Sequence, residues 1–138
     1  MDAAELIVRD LVRDTIARYA HCADSGRFEE MVQLFTEDGV MEIDGREPMR
    51  GRAAILSFLG SVKKSLAQGA ANPYIRHHVS SVQIEIVSAA EASSASYFLA
   101  ITEHGPDHWG RYRDRLVPVG ERWLFAHRRV RIDGRRQF

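Results

Sequence analysis

An imidazole and the carboxylate that orients it can together move a proton near neutral pH. The stretch RYAHCADSG, residues 18–26, closes on Asp24, and HHVSS, residues 77–81, opens with two adjacent histidines. A carboxylate in the last turn of a helix sits against the negative end of the macrodipole. Asp24 is therefore either a solvated helix end or an acid held in a pocket to do chemistry. Strand alternation separates the two histidines. Val82, Ile84 and Ile86 share the parity of a buried face, and His78 shares it, so His78 is expected inward. His77 falls on the other face, with Gln83 and Glu85. The same rule turns Tyr112, Asp114 and Leu116 inward and Arg111, Arg113 and Arg115 to solvent. An inward Asp114 is costly without a partner, and Arg128 or an arginine of a neighbouring strand could supply one. Phe98, Thr102 and His104 share one parity of a strand that is apolar on both, which leaves its facing open. The last strand is equally ambiguous, so at least one of its arginines can reach inside unless a bulge shifts the phase.

These side chains need elements to position them. Apolar groups at Leu11, Val12, Ile16, Tyr19 and Ala23 predict a helix over 3–24, stopped by Gly26. Tyr19 lies near the middle of its apolar arc. Asp24 follows about 140° around the wheel, so periodicity alone does not bury it. Residues 27–35 predict a short second helix, 39–44 and 46–50 a hairpin around an Asp-Gly turn, and 51–66 a third helix. The period then changes to two, and 75–87, 91–104, 108–119 and 121–133 predict long antiparallel strands. Helices followed by strands make an α+β fold: a cone-shaped, curved antiparallel sheet packed on three N-terminal helices, in one domain spanning 1–138. Such a cone leaves a pocket for a small hydrophobic molecule, shaped here by Met41, Ile43, Phe58, Leu59, Phe98 and Phe125. HGPDH, residues 104–108, reads as a turn, with no rigid element to set metal geometry.

Composition narrows the function classes. Nineteen basic residues balance nineteen acidic ones, so neither nucleic acid nor an anionic membrane is an expected partner. A single cysteine, Cys22, rules out an internal disulfide and a cysteine-based zinc site, and a cytoplasmic location is the simplest expectation. The N-terminal MDAAELIVRDLVRD has no apolar core of a signal peptide, and no apolar run approaches a membrane span.

RYAHCAD, the MVQLFTEDGVME segment, GRAAILSFL, HHVSS and GRYRDRLV with its following RW and FAHR resemble the SnoaL-like group of the nuclear transport factor 2 superfamily, along nearly the whole chain. The pattern is most similar to scytalone dehydratase and the bile acid dehydratases. The resemblance implies an Asp–His dyad at Asp24 and His78, and a catalytic tyrosine at Tyr19. It also places His104, Tyr112 and Arg131 against substrate. Ile101 stands where the bile acid enzymes carry an acid, and Ile43 where ketosteroid isomerases carry their base. The implied activity is a cofactor-independent, metal-free lyase acting by β-elimination on a steroid-like or polycyclic ketone. The alternatives are a ligand-binding or accessory subunit like the small subunit of ring-hydroxylating dioxygenases, or a polyketide cyclase or isomerase. Relatives assemble through the outer sheet face, which implies a homo-oligomer, dimer or trimer. The expectation is concrete: Asp24 and His78 within hydrogen-bond reach, with Tyr19 on the same cavity.

Overall fold

A computed structural model of the protein describes residues 1–67 and 74–137. Helix α1 spans Ala3–Ser25, α2 Phe28–Val32 and α3 Arg52–Ala67. Strands are β1 (Phe35–Ile43), β2 (Met49–Arg50), β3 (Ile75–Ser88), β4 (Glu91–Thr102), β5 (Gly105–Val119) and β6 (Arg122–Arg135). They form one six-stranded sheet in the order β2-β1-β6-β5-β4-β3. The sheet is mixed: β1 runs parallel to β6, whereas every other neighbouring pair is antiparallel. The expected hairpin exists as the short β1–β2 pairing, but β1 begins earlier, at Phe35, inside the segment read as the second helix.

Helix α1 starts on Asp2, whose carboxylate caps the Glu5 N–H, and ends where Gly26 turns left-handed at φ 67°. Only glycine takes that conformation without a Cβ penalty. Its inward stripe is Val12, Thr15, Ile16, Tyr19, Ala20 and Cys22, all buried. The helix lies across both β3 and β6, so its buried arc is wider than the apolar stripe. Two polar ties fix it: the Arg9 guanidinium donates to the Ile84 carbonyl, and the buried Thr15 hydroxyl donates to the Trp123 carbonyl. The core runs from α1 through Phe35, Ile55, Phe98, Tyr112, Leu116 and Phe125.

Three of the long strands carry a bulge, an extra residue that shifts the phase of alternation. In β3 the partner of Ser80 is Tyr97 and the partner of Gln83 is Ala95, so β3 takes one residue more than β4. Ser81 stands there at φ 53°. In β5, Ala100 pairs with His108 while Ile101 pairs with Pro106, which leaves Asp107 unpaired against β4. In β6, the step from Phe125 to His127 matches a single step on β5.

Candidate active site

The β3 bulge decides which histidine meets Asp24. Beyond it, Val82, Ile84 and Ile86 face the core as alternation requires. Before it, the inward set is Ile75, His77 and Val79, and His78 is exposed on the opposite face. The expected Asp24–His78 contact is therefore corrected to Asp24–His77. His77 Nδ1 lies 2.6 Å from Asp24 Oδ1, and the His77 backbone N–H donates to the same carboxylate at 3.0 and 3.2 Å. Both side chains are nearly enclosed, at 14% and 13% exposure. A carboxylate only accepts, so His77 Nδ1 carries the proton and, in the neutral ring, Nε2 keeps its lone pair. Burial lowers the His77 pKa below the ordinary imidazole value, and it outweighs the opposing pull of Asp24. The imidazole is thus held neutral, oriented and ready to accept a proton.

The pair stands at a cavity of about 320 Å³ between the helices and the inner sheet face. Its apolar walls include Met41, Ile43, Phe58, Leu59, Phe98 and Ile132, and Tyr19, His77, His108 and Tyr112 bring polar groups to it. Tyr112 stacks on Phe98 at 4.6 Å, and Tyr19 meets Tyr112 edge-on at 5.9 Å. Burial raises both phenol pKa values, so both hydroxyls stay protonated. Behind the two rings lies Arg128, fully buried, with its guanidinium carbon 4.1 Å from the Tyr19 centroid and 3.7 Å from that of Tyr112. Arg128 Nε and Nη2 donate to Asp114 at 2.8 and 3.1 Å, and the Ser94 hydroxyl adds a third bond to that carboxylate. Burial acts to lower the Arg128 pKa, but Asp114 prevails and holds it raised. The inward Asp114 thus finds its partner in the buried Arg128 of β6, through Nε and Nη2 only. A wider groove of about 720 Å³ on the outer sheet face is lined mainly by polar and charged groups such as Glu85, Arg113, Arg115 and Arg129. Its His127 meets Glu42 through Nε2 at 3.2 Å, with the two side chains at 32% and 37% exposure against 14% and 13% for His77 and Asp24.

Two further expectations are corrected. His104 sits in the turn between β4 and β5 with 61% of its side chain exposed, away from the cavity. Arg131 lies on the outer face and pairs with Asp44 at 3.2 Å, because Val130 and Ile132 hold the inward positions of β6. HGPDH is not only a turn: β5 begins at Gly105, and Asp107 and His108 both line the cavity. The signal for His108 was present, since it shares parity with the inward Tyr112 and Asp114. Among the described residues, no group of three His, Cys, Asp or Glu side chains is placed to hold a metal ion. No helix among them is long and apolar enough to cross a membrane.

The family comparison matches residues 4–129, almost the entire chain, to the SnoaL-like domain. The chain belongs to the SnoaL-like domain family. Among solved structures, this SnoaL-like chain is similar to a candidate scytalone dehydratase from Novosphingobium aromaticivorans, with 25% identity and a TM-score of 0.86 over 100% of this chain and 92% of that one. A Catenulispora acidiphila protein in complex with S-DNPA shares 30% identity at a TM-score of 0.78, covering 91% of this chain and 92% of its own. The β subunit of a candidate aromatic-ring-hydroxylating dioxygenase from N. aromaticivorans, 20% identical at a TM-score of 0.75 over 98% and 94% of the two chains, shares the fold. No curated protein sequence matches the chain.

Proposed function

We propose that this SnoaL-like protein is a cofactor-independent lyase that eliminates water from a hydrophobic β-hydroxy ketone. The observation that carries the reading is the Asp24–His77 pair at the wall of an apolar cavity, with the imidazole held neutral. His77 Nε2 removes the proton α to the carbonyl, and Asp24 stabilises the imidazolium that results. The Tyr19 and Tyr112 hydroxyls, kept protonated by burial, are the donors available to the carbonyl oxygen as negative charge develops there. Met41, Ile43, Phe58 and Phe98 hold the carbon skeleton and keep water from the enolate. Base, orienting acid and hydroxyl donors are all side chains, so the reaction draws on no group beyond the chain itself. The likeness to a candidate scytalone dehydratase supports the same chemistry.

The test uses a bicyclic β-hydroxy ketone, 3-hydroxy-1-tetralone, whose loss of water gives a fluorescent naphthol. Enzyme-dependent naphthol formation is expected from the wild-type protein and is expected to be lost, at about 10²–10⁴-fold, in His77→Gln. Equal rates with and without protein, for this ketone and for steroid β-hydroxy ketones, would overturn the reading.

A further inference from the structure

The cavity carries a second carboxylate-backed imidazole. His108 Nδ1 lies 2.8 Å from Asp107 Oδ2, and the side chains are 21% and 34% exposed. Neighbours in a strand ordinarily point to opposite faces, and the two can pair beside one cavity because Asp107 is the extra residue of the β5 bulge. The Asp107 carbonyl accepts from the Arg136 N–H at 2.7 Å, which pins the bulge to the far end of β6. The His108 ring stands 6.1 Å from the His77 ring at 78°, and both rest against Phe98. Each carboxylate can only accept, so in both rings Nδ1 is the nitrogen engaged and Nε2 is the one left for a ligand. A lone histidine at the rim would be a surface group. A histidine whose Nδ1 is anchored by a bulged carboxylate, and whose ring meets both the buried base and Phe98 edge-on, is a built position.

We propose that His108 is a second catalytic residue, the proton donor to the leaving hydroxyl, with Asp107 as its positioning residue. The assignment rests on the elimination reading above and completes its proton balance. His77 Nε2 takes the α-proton, and the electron pair of that C–H bond becomes the carbon–carbon double bond. The C–O bond breaks with its pair on oxygen, and protonated His108 gives its Nε2 proton to that oxygen, so water leaves. One imidazole gains a proton and the other loses one, and exchange with solvent at the cavity mouth resets them. The division of labour follows from the environments: His77 is the more enclosed ring, held neutral as a base, and His108 stands nearer solvent, where it can be reloaded.

The test compares leaving groups that do and do not need a proton: 3-hydroxy-1-tetralone and its 3-acetoxy ester, which expels acetate. His108→Gln is expected to lose about 10²–10⁴-fold in kcat/KM on the alcohol and less than about tenfold on the ester, whereas His77→Gln loses activity on both. Asp107→Asn is expected to show the same selective loss at smaller size, and it carries the comparison if circular dichroism shows that His108→Gln does not fold. A role in packing alone would lower both substrates together, and that result, or no loss on the alcohol, would overturn the assignment while leaving His77 as the base. A wild-type protein that turns over neither compound, nor the steroid β-hydroxy ketones and their acetoxy esters, would overturn the elimination reading, and this assignment with it.

Discussion

Asp24 occupies a helix end that repels it and a pocket that holds it. The unfavourable macrodipole position costs about 0.3–1 kcal/mol. Hydrogen bonds to a charged group are worth about 1.5–3 kcal/mol each, and Asp24 accepts from both the backbone and the ring of His77. The pocket therefore wins, and the acid serves the histidine and not the helix. Asp24→Asn keeps one acceptor for the backbone N–H but cannot stabilise the imidazolium. Its expected effect is a fall of about 10²–10⁴-fold in elimination rate with cooperative unfolding retained, read by naphthol formation and by circular dichroism. The lowered His77 pKa also has a thermodynamic consequence. In acid the unfolded chain protonates this imidazole before the folded chain does, so its burial costs stability as pH falls from about 6.5 towards the depressed folded value. Melting temperature should therefore decline over that window in the wild type and decline less in His77→Gln, when the two are scanned from pH 7 to about pH 5.

At the scale of elements, the strands are long and regular and their bulges do the positioning. Were Ser81 an ordinary in-phase strand residue and not part of a bulge, one unbroken alternation would have to serve both halves of β3, and His78 would share a face with Val82 and Ile84. Ser81 tolerates φ 53° only at a cost, since the left-handed region is worth about 1–2 kcal/mol against ordinary residues and more for β-branched ones. Ser81→Val is thus expected to lower stability by about 1–2 kcal/mol in urea unfolding, although Val at an exposed strand position is otherwise favourable. This is also where the legibility of the sequence ended. Apolar periodicity marked the three helices and four long strands, because burial writes a period into residue type. A bulge adds a single residue without changing composition, and Ser80-Ser81 looks like any polar pair on a strand, so parity carried across it pointed to the wrong histidine. The Gly105-Pro106 punctuation hid the start of β5, although the parity of His108 with Tyr112 was readable. The parallel docking of β1 beside β6 leaves no local pattern, because it is a choice of neighbour and not of conformation.

Across the whole molecule, a buried ion pair stands at the centre of an otherwise apolar core. Arg128 and Asp114 have no side-chain exposure, and three aromatic rings cover the guanidinium. Removing one partner strands the other charge, at a cost of about 3–5 kcal/mol, which is a large share of the 5–15 kcal/mol typical of a domain. Asp114→Ala is expected to lose that amount in chemical denaturation, and an Asp114→Leu, Arg128→Met double variant is expected to recover most of it. The pair also backs the Tyr19 and Tyr112 rings, so the same core that stabilises the cone sets the floor of the site. The central claim is that this cone exists to hold one neutral imidazole, His77, on Asp24 inside an apolar cavity. Its most direct measurement is the turnover of 3-hydroxy-1-tetralone by His77→Gln and His78→Gln side by side. Loss of about 10²–10⁴-fold in the first, with wild-type rate in the second, is the predicted result. An active His77→Gln, or an inactive but folded His78→Gln, would contradict it.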